Sequence, residues 1–312
     1  RLWDLDGGLS PEVRGADRML AVAFSPDGGE LAVGTAAAEL LACDAATLRV
    51  RDRLADGTGR INGLAYAPDG KSLVAACDDG GVRTWPRPGA GPPAVARRHG
   101  RRVFSVAFSV DGGRLATASE DRTARIWQVA SGDPVGEPLR HPARVYAAAF
   151  SPDGRLVATA CEDGGLRLWD AATGGVRGQA EAHEAAVNWL AFAPDGARLA
   201  TASSDGTVRL WSVPECRPLA VLTGPARQVW KVAFSPDGDR VAAVSADGTA
   251  QLWDAASGRA VTMLRGHRDQ VWGLAFPPDG RTLATASWDG TARLWGVAAA
   301  EIARRRAAEQ GR

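Results

Sequence analysis

Apolar and polar residues alternate in short bursts along this 312-residue chain. In one such burst Val187, Leu190 and Phe192 run into Ala193-Pro194-Asp195-Gly196, a turn in which proline presets φ and glycine supplies a positive φ. Leu199 to Ser203 then reads as a short strand, Asp205-Gly206 as a second tight turn, and Thr207 to Trp211 as a third strand with period-two alternation. Arg217 to Leu222 makes a weaker fourth strand. The pattern predicts a four-stranded antiparallel meander.

The meander recurs. Tetrads ending in Asp-Gly place their aspartates at Asp27, Asp69, Asp111, Asp153, Asp195, Asp237 and Asp279, each 42 residues from the last. A fixed period of this size means stacked supersecondary units. The strands are rich in Ala, Val and Leu on both faces, so each sheet must be sandwiched between neighbours. Seven radial sheets achieve this and leave only short outer edges. A catalytic constellation is normally built once, so seven copies of one unit argue against an enzyme.

Other elements recur in the same register: third-strand tryptophans at Trp85, Trp127, Trp169, Trp211, Trp253 and Trp295, a histidine ahead of several innermost strands, and Trp-Asp at residues 3–4, 169–170 and 253–254. With these the chain resembles the tryptophan-aspartate (WD) repeat β-propeller family from Arg1 to about Val297. The expected fold is all-β, a seven-bladed propeller of four-stranded antiparallel blades. The domain is expected over 1–298, with repeat cores near 18–44, 60–86, 102–128, 144–170, 186–212, 228–254 and 270–296. Residues 299–312 form an Ala- and Arg-rich tail, helix-prone over 298–308. The chain begins within a repeat and without an initiator Met, so residues around Leu9 to Arg14 are expected to close the ring as the outer strand of the last blade. It reads as a domain cut from something longer.

All four histidines, His99, His141, His183 and His267, share one slot of the repeat, which favours a scaffold role. The resemblance implies hydrogen-bonded sets of histidine, strand hydroxyl, turn aspartate and tryptophan. Complete sets would be His99, Ser119, Asp121, Trp127; His183, Ser203, Asp205, Trp211; and His267, Ser287, Asp289, Trp295. Such a chain gives a buried indole, imidazole and hydroxyl each a partner. A Ser/His/Asp hydrolase is the competing reading, but no G-x-S-x-G elbow is present and the set recurs in three units. The histidines lie in different blades, so no metal site and no cofactor is expected. Other units depart from the set: Pro225 fills the histidine slot of the sixth, Cys161 the serine slot of the fourth, and Gly57 and Cys77 stand in the second. Gly15, Ala37 and Cys43 stand in the first, so blades 1 and 2 are the expected soft spot.

The innermost strands space their apolar residues as i, i+3, i+5, as in Val103, Val106, Phe108 and Val229, Val232, Phe234. One extra residue marks a β-bulge that re-aims a side chain toward the ring's face. The bulge slot holds Leu20, Asn62, Phe104, Tyr146, Asn188, Trp230 and Trp272. Two residues earlier stand Arg18, Arg60, Arg102, Arg144, Ala186, Gln228 and Gln270, and Trp288 precedes a second-turn aspartate. Aromatics and arginines together match interaction hot spots. The blander alternatives are that Arg60–Asp78, Arg102–Glu120 and Arg144–Glu162 pair within their own blades, that Trp189 is packing, and that Trp230, Trp272 and Trp288 pack locally.

Composition narrows the partner. The chain is 45% apolar and 23% charged with net charge +1, and no apolar run approaches a bilayer span. Charge is balanced, so nucleic acid is not expected despite Arg304, Arg305 and Arg306. Cys43, Cys77, Cys161 and Cys216 lack a framework spacing, which favours a reducing, cytoplasmic setting. The leading expectation is a non-catalytic protein- or peptide-binding scaffold, monomeric within a larger chain, using Trp230, Trp272, Trp288, Phe104, Tyr146, Arg18, Arg60, Arg102 and Arg144. The alternatives are a regulatory or sensor domain of a larger bacterial signalling enzyme, a kinase or signalling ATPase, and a small-molecule binder or hydrolase in the central channel.

Overall fold

The computed structural model describes residues 11–55, 59–86 and 94–297. It contains seven four-stranded antiparallel sheets. Their innermost strands are Met19–Phe24, Ile61–Tyr66, Val103–Phe108, Val145–Phe150, Val187–Phe192, Val229–Phe234 and Val271–Ala275, numbered here as blades 1 to 7. Each of these strands contacts the innermost strand of the next blade, and the seventh contacts the first. The ring is therefore closed. Among the described residues no helix is long and apolar enough to cross a membrane.

Closure follows the sequence expectation. Glu12–Arg14 is the outermost strand of blade 7, pairing Glu12 with Arg293, Val13 with Ala292 and Arg14 with Thr291. Leu9 and Ser10 lie outside the described residues, as does the tail from residue 298. Gly57, one of the expected departures, also lies outside.

Small residues set the spacing between blades. The second strands, such as Arg198–Ser203 and Thr282–Ser287, are buried at every position after the first. An alternation of Leu, Ala and Thr lets both faces pack closely. Third-strand tryptophans fill the remaining depth against the preceding blade: Trp211 packs with Ala158, Ala160 and Leu168, and Trp127 with Val74 and Val82. In blade 1 Cys43 takes that place beside Ala284 and Ala292 of blade 7.

Two turns define each blade. In the first, Ser151 donates to Asp153 at 2.6 Å, and Arg155 N–H donates to the same carboxylate at 3.0 Å. The second turn takes a positive φ, supplied by glycine in five blades and by Ala38 (φ +63°) and Arg122 (φ +67°) in blades 1 and 3. Gly164 has φ +82°, and a Cβ there would lie 2.4 Å from the His183 carbonyl oxygen. The pairing of first and second strands skips a residue in all seven blades, between Met19 and Ala21, Ile61 and Gly63, and equivalently around the ring. The bulge read from the i, i+3, i+5 spacing is present throughout.

Candidate functional site

Two polar systems arise from this frame, one buried and one open. The buried system is a relay. His99 places Nδ1 2.9 Å from Asp121 and Nε2 2.7 Å from the Thr117 hydroxyl, which also accepts from Trp127 Nε1 at 2.9 Å. Blade 5 repeats this with His183, Asp205, Thr201 and Trp211, and blade 7 with His267, Asp289, Thr285 and Trp295. One proton arrangement satisfies the whole chain: indole N–H to threonine oxygen, threonine O–H to imidazole Nε2, and Nδ1–H to carboxylate.

The hydroxyl is thus threonine, and Ser119, Ser203 and Ser287 stand outside the relay. Thr117 and Ser119 share one face of their strand, but Trp127 pairs with Leu115, so its indole reaches Thr117 on the diagonal. Ser119 is two residues, about 7 Å, further along the strand. It donates to the Arg102 carbonyl at 2.7 Å and accepts from Asp121 N–H at 3.1 Å. Ser287 likewise donates to the Gln270 carbonyl, and Ser203 accepts from Asp205 N–H. These serines fasten the second turn to the bulged strand.

Blade 4 departs differently from expectation. Its Thr159 hydroxyl is in place, 2.8 Å from both His141 Nε2 and Trp169 Nε1. Cys161 therefore does not break the relay, and the break lies at the carboxylate. His141 Nδ1 faces the Leu139 carbonyl at 3.0 Å, while Asp163 binds Arg167 at 2.6 Å. Burial, aided by the charge of Arg167, pushes the His141 imidazole down to about 4. Burial opposes ionisation of Asp121, yet hydrogen bonds from His99 and Thr123 hold its carboxyl well below the usual range. In blade 6, where Pro225 replaces histidine, Trp253 Nε1 donates to the Thr223 carbonyl at 3.1 Å. Neither Thr117 nor Ser119 reaches solvent.

The open system lies at the mouth of the ring. All seven bulge residues, from Leu20 to Trp272, line one cavity of about 400 Å³, together with Arg60, Asp78, Arg102, Ala186, Trp189, Ser204 and Lys231. On one side Trp230 stacks on Trp272 with centroids 4.3 Å apart, Trp272 on Trp288 at 5.2 Å, and the Arg18 guanidinium lies 4.5 Å over Trp288. The indole N–H groups of all three tryptophans are buried without a hydrogen-bond partner. Opposite, Phe104 meets Tyr146 at 5.1 Å.

The structure brings six of the nine sequence-named face residues to the cavity: Arg60, Arg102, Phe104, Tyr146, Trp230 and Trp272. Trp288 and Arg18 continue the aromatic stack outward. Arg102 and Arg144 enter an alternating arc that crosses blades: Arg102 bridges Asp78 and Glu120, each at 3.9 Å, and Arg144 bridges Glu120 and Glu162 at 3.5 and 3.7 Å. Among the described residues no ion pair joins Arg60 to Asp78, whose carboxylate accepts from Asn62 at 2.7 Å.

Three cavity residues were missed as site residues. Asn62 and Asn188 donate to the Val103 and Val229 carbonyls, tying each blade to the next. Lys231 is only 9% exposed, with Nζ 4.2 Å over the Trp189 ring. A signal was available: the position one past the bulge is Ala21, Gly63, Ser105, Ala147, Trp189, Lys231 and Gly273, and lysine is its one charged member. Among the described residues no three His, Cys, Asp or Glu side chains gather as a metal site.

Seven blades, bulged inner strands and a histidine–threonine–tryptophan relay define a closed β-propeller of repeating units. The family model for the WD domain, G-beta repeat, matches residues 51–86, 93–128, 132–170, 176–212, 216–254 and 258–296. These segments cover more than half of the chain, and the protein belongs to this WD40-repeat family. Blade 1, where Gly15, Ala37 and Cys43 replace the usual residues, falls almost entirely outside the match. No curated protein matches the chain. Domains of this family commonly serve as protein-interaction scaffolds and are generally non-catalytic.

Proposed function

We propose that the protein is a non-catalytic platform that holds a protein or peptide on the bulge-bearing face of the ring. The observation that carries this reading is the convergence of all seven bulge side chains on one cavity mouth. Half-buried aromatics on a concave surface supply contact area at low conformational cost, and arginines at the rim orient the partner. The relay hydroxyls support the non-catalytic reading, because their capacity is spent on indole, imidazole and backbone. The buried free thiols fit a reducing compartment, and we place the platform in the cytoplasm.

The test is the triple change of Trp230, Trp272 and Trp288 to Ala, with affinity capture by the chain before and after. A variant that keeps its strand content by circular dichroism but loses the captured partner supports the platform. A folded variant with undiminished capture removes it.

A further inference from the structure

Lys231 is the one charged side chain in its slot of the repeat. No hydrogen bond or ion pair engages its ammonium among the described residues, and its sole contact of note is the Trp189 face. Burial alone lowers its pKa, to about 8, with no nearby charge contributing. A buried cation without a counter-charge is costly and persists only where something offsets it. The cavity around it carries Arg60, Arg102 and Lys231 against a single carboxylate, Asp78, which is already held by Asn62 and Arg102. With Arg102 matched by Asp78 and Glu120, the cations of the lining without an ion pair among the described residues are Arg60 and Lys231, set beside aromatic rings.

We infer that the occupant of the platform inserts an aspartate or glutamate side chain into the channel mouth, its carboxylate meeting Lys231 Nζ with Arg60 as a second cation. This rests on the platform reading and adds the chemistry of the contact. A cationic side chain is the natural guest of an indole face, but here Lys231 already occupies the face of Trp189 and repels a second cation. A chain-terminal carboxylate is captured by nests of backbone N–H groups, whereas the free donors here are side chains. The Trp230–Trp272–Trp288 stack continues outward from the cavity, giving the residues flanking the acid an apolar surface to lie on.

The experiment uses the full chain and labelled heptapeptides, acetylated and amidated so that only side chains carry charge, with randomised flanks and a fixed central Glu, Asp, Gln or Lys. The acidic pools are expected to bind at least about tenfold more tightly than the Gln and Lys pools, and Lys231→Gln and Lys231→Met each to abolish that preference. Thermal unfolding of both variants confirms that they are folded; either one, if folded, suffices. Equal binding of all pools, binding of none, or an acid preference that survives loss of the lysine overturns the inference. So does N-acetylglutamate binding as tightly as the pools, which would make the guest a small acid. None of these outcomes decides the platform reading, which stands or falls on partner capture by the triple tryptophan variant.

Discussion

Trp230 of blade 6 and Trp272 of blade 7 lie with ring centroids 4.3 Å apart and planes inclined by 14°. Neighbouring blades are thereby coupled at the face as well as in the core. A stacked pair of this kind contributes about 0.5–1.5 kcal/mol beyond the area it buries. A double-mutant cycle with Trp230→Ala and Trp272→Ala, followed by urea unfolding, should show a coupling energy of about 1 kcal/mol. Strict additivity would mean the rings merely sit side by side.

The relay distinguishes two hydroxyls only two residues apart. Thr117→Val leaves the Trp127 indole and the His99 imidazole each short of a partner, at about 1–3 kcal/mol per group. Ser119→Ala removes turn bonds near the blade's edge and is expected to cost about 1 kcal/mol. Chemical denaturation of the two variants checks the order. A larger loss for Ser119→Ala would restore serine to the relay.

Stability should fall with acid in a defined window. The folded pKa of His141, about 4, lies below the ordinary histidine value of about 6.5, so the unfolded chain takes up the proton first as pH drops. The contribution is complete above about 6.5 and is lost as pH falls toward 4, up to about 3 kcal/mol. His141→Gln should flatten this limb of the stability profile. Asp121, depressed in the folded state, adds a further loss at lower pH as its carboxylate takes up a proton.

Lys231 should be a liability to the fold. Its buried charge is uncompensated, so Lys231→Met is expected to raise stability at pH 7 by about 1–3 kcal/mol. The folded pKa is lowered to about 8, so the penalty is full below about pH 8, shrinks as the folded lysine loses its proton, and is gone above the ordinary lysine value near 10.5. Thermal melts at pH 7 and pH 10.5 test both statements. A destabilised Lys231→Met would assign the lysine to packing instead.

Ring closure rests on a short strand. Val13 is 5% exposed and packs in the cluster of Leu41, Ala292 and Leu294. Val13→Asp buries a charge there and should cost about 3 kcal/mol or more. Freed from its partner, Thr291–Gly296 becomes an open edge, so the variant should also self-associate. Size-exclusion chromatography across a concentration series reads this directly.

Period, blade content, bulge and closing strand were all legible in the sequence, because each leaves a mark at fixed spacing. The choice between Thr117 and Ser119 was not. Both project from one face, and only the diagonal offset of Trp127 against Leu115 decides which is reached. The pairing of Arg102 with Asp78 was hidden for a different reason: a reading confined to one repeat does not show which side chains meet across blades. Lys231 stood out as the odd member of its column, but its lack of a counter-charge is a property of the assembled channel.

The asparagines at the bulge give the ring an internal gauge. Asn62 and Asn188 stand three blades apart, and each reaches the carbonyl that opens the next innermost strand, at 2.9 Å in both cases. A bond of fixed length between successive inner strands sets how far they can separate. At these two joints a side-chain amide bonded to the neighbouring backbone holds the inner strands together, so the ring there resists being spread by whatever enters it.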